Sequence, residues 1–140
     1  MEIVKRRFQN TLVEALGIHF LELEETKVIA TMPVHNATRQ PMGLLHGGAS
    51  VALAETVASV GAWNLIDQEK EFVVGVEINA NHIRSKKDGT VTATGIPLHI
   101  GRTTMVWEIK IEDEQKRLIC ISRCTIGVRR QNIEEGYGRV

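Results

Sequence analysis

Gln40-Pro41-Met42-Gly43-Leu44-Leu45-His46-Gly47-Gly48-Ala49-Ser50-Val51-Ala52-Leu53-Ala54-Glu55 is the stretch that decides the fold. Pro41 and Gly43 belong to a long connection, residues 34–46. Gly47-Gly48 then opens the one long helix that the chain can form, residues 47–66. It runs through Leu53, Ala54, Val57, Ala58, Val60, Ala62 and Leu65, apolar nearly all round, which predicts burial on most faces. Its alanines let other elements approach closely.

Outward from that helix the pattern changes. Before it, residues 2–16 carry a helical stripe (Ile3, Val4, Phe8, Leu12, Leu16) that Gly17 ends. Residues 18–24 and 27–33 alternate or are β-branched rich and read as two strands. After it, residues 71–84, 90–99, 103–112 and 117–129 read as four more. Short connections at Lys87-Asp88-Gly89, Gly101-Arg102 and 113–116 make these four a hairpin-linked antiparallel meander. One buried helix among such strands predicts an α+β fold: a curved antiparallel sheet of about five or six strands wrapped around the helix. Residues 1–140 form a single domain, with a polar, frayed tail over 129–140.

Composition removes several functions. Lys plus Arg is 17 and Asp plus Glu is 17, so the basic surplus that nucleic acid or an anionic membrane demands is missing. Two Trp, one Tyr and three Phe are too few for a base-stacking platform. Two cysteines, Cys120 and Cys124, rule out a disulfide-rich fold and lie too far apart on one strand to bridge, so they read as buried free thiols. MEIVKRRFQN has no apolar core of a signal peptide, and residues 49–66 make a poor membrane span. A soluble cytoplasmic protein is expected. Without H-E-x-x-H or C-x-x-C, and with histidines in separate elements, no metal site is expected.

Glu55 is the only formally charged residue between Arg39 and Asp67. Its neighbours at three and four positions include no Lys or Arg, so no local ion pair holds it. Either it faces a wet stripe or a strand cation, or it is a carboxylate in an apolar cleft, suited to base or nucleophile work. His46-Gly47-Gly48 offers a helix N-terminus with unpaired N–H groups and glycines that admit a ligand, the makings of an oxyanion hole. The string also resembles a lipase oxyanion loop, but no G-x-S-x-G elbow accompanies it. Gly47 and Glu55 are eight residues apart, roughly 12 Å at about 1.5 Å per residue. Both serve one carbonyl only if two helices pair antiparallel, so the chemistry implies a homodimer with two shared interface sites.

The run from Gln40 to Glu55 strongly resembles the hotdog-fold acyl-CoA thioesterases, in the phenylacetate-degradation (PaaI-like) branch. That branch includes the 4-hydroxybenzoyl-CoA and 1,4-dihydroxy-2-naphthoyl-CoA thioesterases. Val74-Gly75-Val76-Glu77-Ile78-Asn79-Ala80-Asn81-His82 matches it too, as does Pro97-Leu98-His99-Ile100-Gly101 followed by Val106-Trp107. The resemblance covers nearly the whole chain after the first helix. It implies a hotdog fold and hydrolysis of acyl-CoA to free acid and CoA. In it Glu55 attacks the carbonyl or activates water. Gly47 N–H holds the thioester oxygen with Gln40 beside it, His46 orients the region, and Ser59 positions water or the carboxylate. Gln40, His46 and Gly47 would come from one subunit, Glu55 and Ser59 from the other, in a dimer of dimers. His82 resembles the strand histidine near the acyl pocket, and Gly48 and Asn81 are taken as substrate contacts with it. Arg84, Ser85 and Arg102 are candidates for the CoA phosphates, since guanidinium binds phosphate well. No cofactor is implied, because coenzyme A is part of the substrate. The other readings of this frame are a hydratase or dehydratase, and a non-catalytic acyl-CoA-binding protein. The sequence favours an aryl or medium-chain acyl group.

Overall fold

The computed structural model describes residues 1–131. Six strands form one antiparallel sheet: β1 (His19–Leu23), β2 (Val28–Pro33), β3 (Glu71–His82), β4 (Thr90–Ile100), β5 (Thr104–Glu112) and β6 (Leu118–Arg130). Their order across the sheet is β1-β2-β4-β5-β6-β3. Helices α1 (Glu2–Arg7) and α2 (Leu12–Leu16) precede the sheet, and α3 (Gly47–Trp63) lies against it. This is the hotdog arrangement expected from the sequence.

The inner sheet face is read directly from alternation. Trp107, Ile109 and Ile111 on β5 pair with Cys124, Ser122 and Cys120 on β6, and all six are buried. Leu53, Ala54, Val57, Ala58 and Ala62 of α3 pack on that face. Each fully buried Leu or Val side chain contributes about 1.5–3 kcal/mol relative to exposure. The helix sits unusually close: a Cβ on Gly61 would lie 2.5 Å from the Trp107 ring, and one on Gly95 would lie 2.6 Å from Val57. Glycine at these positions lets helix and sheet meet. Cys120 and Cys124 are free and buried, as their spacing predicted.

Four expectations need correction. The helix stops at Trp63, three residues short of 66, and only one face is buried; Val51, Ala52, Glu55, Thr56, Ser59 and Val60 are half-buried. The N-terminal stripe is not one helix. Asn10 has φ 59 and Thr11 is extended, so the chain turns between α1 and α2; Val4 and Leu16 are buried, whereas Ile3 and Leu12 are exposed. The last four strands are not one meander: β3 pairs with β6, not β4. Residues 83–89 therefore cross three interstrand steps, roughly 14 Å at about 4.8 Å each, within reach of so many residues. Finally, Arg129 and Arg130 belong to β6, paired with Phe72 and Glu71. The rest of the expected tail, 132–140, lies outside the described residues.

Among the described residues, no helix is long and apolar enough to cross a membrane.

Candidate active site

His46 ends the long connection and caps α3. Its Nδ1 accepts from Gly48 N–H at 2.7 Å, so in the neutral ring the proton belongs on Nε2. Ala49 and Ser50 N–H donate to the His46 carbonyl. Gly48 is thus consumed by the cap. Gly47 N–H, the first of the helix, has no partner among the described residues. It remains a donor at the positive end of the helix.

Gln40 closes the turn before it. Its Oε1 accepts from Met42 N–H at 2.5 Å and Leu44 N–H at 3.3 Å, while its backbone bonds to Leu44 and Gly43. With the oxygen occupied, the side-chain NH₂ is the end left for a ligand, and it can only donate.

Gln40 and Gly47 border one cavity of about 320 Å³, together with His82, Arg84, Ser85 and Lys86. His82 faces inward because it pairs with Cys120. Its ring lies on Gly47, where a Cβ would stand 2.9 Å from His82 Nε2. Ser50, one turn after Gly47 and buried, also lines the cavity, as do Ile83 and Ile119. Its spacing of three from Gly47 is the sequence signal that would have found it.

The crossover 83–89 forms the outer wall and is well anchored. Ile83 and Arg84 N–H donate to the Ile119 carbonyl, and Leu45 N–H donates to that of Lys86. Lys86, next to the phosphate candidates Arg84 and Ser85, ion-pairs with Glu114. The other oxygen of Glu114 accepts from Thr90 N–H at 3.0 Å. Lys86 and Thr90 hold the Glu114 carboxyl down at about 2. The same carboxylate presses on Gly89, whose φ of 83 few other residues adopt.

Other candidates lie elsewhere in the protomer. Asn81 pairs with Ile121 and is exposed on the face opposite His82. Arg102 sits in the β4–β5 turn, roughly 30 Å along β4 from the cavity at about 3.3 Å per residue. His46 and Gly48 border a second hollow, with Leu12, Leu16, Arg39 and Ala52. Ser59 borders a third, with Val4, Arg7, Phe8, Val60 and Trp63.

Glu55 lies between the second and third hollows, three residues after Ala52 and four before Ser59. It is half-buried and has no ion-pair partner among the described residues. Its Oε2 rests on Gly75 of β3, where a Cβ would come within 2.7 Å. Gly75 faces inward beside a β-bulge, since the register shifts between Gly75 and Glu77. A glycine inside a strand pattern is the sequence signal for such a place. The carboxylate is near enough to Cys124 to help burial, the larger cause, push that thiol up to about 12, with a smaller contribution from Glu77.

One protomer therefore presents two separate halves: donors around Gly47 and an unpaired carboxylate at Glu55. Among the described residues, no group of three or more His, Cys, Asp or Glu is placed to hold a metal.

Known proteins share this frame. The sequence profile of the Thioesterase superfamily matches residues 42–120. The chain is 61% identical over 120 residues to a protein of Bacillus subtilis (strain 168) provisionally named an esterase, covering 86% of this chain and 95% of that one. It is 51% identical over 120 residues to the 1,4-dihydroxy-2-naphthoyl-CoA hydrolase of Listeria monocytogenes, covering 86% and 97%. The crystal structure of a mutant thioesterase from Pseudomonas aeruginosa superposes with a TM-score of 0.90 at 39% identity, covering 93% of this chain and 94% of that one.

Proposed function

The chain belongs to the Thioesterase superfamily and is a thioester hydrolase, and from that premise we propose that it hydrolyses aryl or medium-chain acyl-CoA to free acid and CoA. Gly47 N–H and the Gln40 NH₂ receive the thioester oxygen and stabilise the charge that develops on it. Glu55 of the partner subunit attacks the carbonyl carbon, or takes a proton from a water that does so. The C–S bond breaks, CoA leaves as the thiol, and water supplies the acid's new oxygen. Ser59 steadies the water or the carboxylate. Coenzyme A enters as substrate, and the step needs no cofactor.

The observation that carries this reading is the spacing on α3. A free N–H at its first residue and an unpaired carboxylate eight residues on are complementary parts too far apart to meet in one chain. A homodimer joins them, with the α3 helices antiparallel. The free edge of β3, where Val76 is 56% exposed at the bulge, offers a place for a second copy to pair. Dimers pair further into a tetramer. Arg84 and Ser85, at the cavity's outer wall, are the nearest groups for CoA phosphates.

Free-thiol release from an acyl-CoA panel tests the activity. Glu55→Ala is expected to lower kcat by at least about 10²-fold. A purified heterodimer of Glu55→Ala and Gln40→Ala chains is expected to recover nearly half the wild-type activity, because one of its two sites is intact. No activity above the parents would overturn the shared site, and Glu55→Ala within a few-fold of wild type would overturn the carboxylate's role.

A further inference from the structure

We propose that Glu114, on the β5–β6 turn, is a positioning residue for CoA binding: through Lys86 and Thr90 it holds the crossover 83–89 in the shape that sets Arg84 and Ser85 at the cavity wall. This rests on the reading above that Arg84 and Ser85 take the CoA phosphates, and it leaves the chemistry at Glu55 untouched.

The crossover has no helix or strand to shape it. Main-chain bonds tie it down at three places. Ile83 and Arg84 N–H donate to the Ile119 carbonyl, Leu45 N–H to that of Lys86, and Val34 N–H to that of Gly89. Arg39 Nε donates to the Lys87 carbonyl at 3.2 Å. Among the described residues, Glu114 is the one carboxylate that ion-pairs with this segment; Arg84 and Lys87 have none. Its two oxygens span the segment's second half, one accepting from Lys86 Nζ and the other from Thr90 N–H at 3.0 Å. Gly89 lies against this span, where a Cβ would collide with the carboxylate.

Glu114 can hold the crossover because its own turn is rigid. Asp113, beside it, is buried. Asp113 Oδ1 accepts from Gln115 N–H at 2.9 Å and Arg117 N–H at 2.8 Å, and Oδ2 accepts from Arg117 Nε at 2.7 Å. The turn is thus locked by its own side chain and presents Glu114 from a fixed base. At the other end of the pair, the Lys86 side chain is only 13% exposed. Without its counter-ion it would be a nearly buried, unpaired cation, and desolvation would drive it outward into water. Lys86 follows Ser85 directly, so that movement carries the cavity wall with it. Arg84 and Ser85 would then have to be ordered anew each time CoA binds, at the expense of affinity.

The test uses benzoyl-CoA and the benzoyl thioester of N-acetylcysteamine, which has the same acyl group and no nucleotide. Glu114→Ala is expected to raise KM for benzoyl-CoA by roughly two- to tenfold, the effect of one more side chain to be ordered on binding. Its kcat, and kcat/KM for the truncated thioester, should stay at the wild-type values. Glu114→Gln, which keeps an acceptor, should recover part of the loss. Lys86→Met should raise KM as Glu114→Ala does, and the double variant should add nothing further. Equal losses with both substrates would mean general damage to the fold and would overturn the proposal. An unchanged KM overturns it too, as does a fall in KM, which would make Lys86 a phosphate ligand that Glu114 restrains. Arg84→Ala separates this from the reading beneath it. If Arg84→Ala raises KM for benzoyl-CoA alone and Glu114→Ala does not, the phosphate wall stands and the positioning role falls. If neither variant distinguishes the two substrates, both fall.

Discussion

Gly75→Ala is a way to move Glu55 without altering it. The added Cβ would stand 2.7 Å from Oε2 and 3.4 Å from Cδ. Ordinary contact begins near 3.4 Å, so the carboxylate oxygen must retreat by roughly 0.7 Å. Glu55 is long and half-buried, so it can swing away at little cost to the fold. Gly75, although beside the bulge, does not have a positive φ, so alanine fits its backbone and is favoured over glycine by about 0.5–1 kcal/mol through chain entropy. Thermal stability is therefore expected to stay level or rise slightly. Catalysis is expected to suffer, because a 1 Å misplacement of a reacting group costs about 10²-fold. A displacement of this size predicts a fall in kcat of about 10- to 10²-fold with benzoyl-CoA, with KM little changed. The assay pairs steady-state thiol release with a melting curve on the same preparation. Retention of kcat within about twofold, with an unchanged melting curve, would refute the claim that the β3 bulge seats a catalytic carboxylate. A collapse in melting temperature would refute the claim that the side chain yields cheaply.

Gly61→Ala should do the reverse: its Cβ would meet the immobile Trp107 ring at 2.5 Å, costing about 1–3 kcal/mol of stability by urea denaturation. Glu114→Gln should flatten the acid side of the stability profile. The Glu114 carboxyl sits at about 2 in the fold against an ordinary 4.5, so its contribution is full above pH 4.5 and drains as the pH falls towards 2. Wild type should lose more stability than the variant across that window, and parallel profiles would contradict the Lys86 and Thr90 contacts as its cause. Cys124, its thiol pushed up to about 12 by burial and by Glu55 and Glu77, should resist iodoacetamide at pH 8 in the native protein and react once urea unfolds it. Fast native labelling would place it outside the core.

Much of the fold was legible because it is local. The apolar run from Ala49 and the alternation in β5 and β6 each report burial within a few residues. The β3–β6 pairing was not, because Lys87-Asp88-Gly89 looks like a hairpin turn whether the next strand lies beside β3 or three places away. The stripe from Ile3 to Leu16 hid a break for a similar reason: the apolar residues keep a helical spacing across the turn at Asn10. At the site, Gln40, Gly47 and His82 could be gathered from sequence, and the structure sets them round one cavity. What stayed hidden depended on contacts distant in sequence. Lys86 has Glu114 as its counter-ion, and Glu55 rests on Gly75. His46, adjacent to Gly47, turns its ring to Gly48.

The place of β3 in the sheet also sets a timetable. Synthesis delivers β3 well before β6, yet β6 is its only strand partner among the described residues. Until Leu118–Arg130 has left the ribosome, the β3 wall that seats Glu55 and carries His82 has nothing to pair with, and α3 faces an incomplete sheet. Such late, long-range closure is slow and leaves apolar surface exposed meanwhile. The cavity and the fold are thus completed in a single final step, so a nascent chain stalled before residue 118 would hold every proposed catalytic residue and no site.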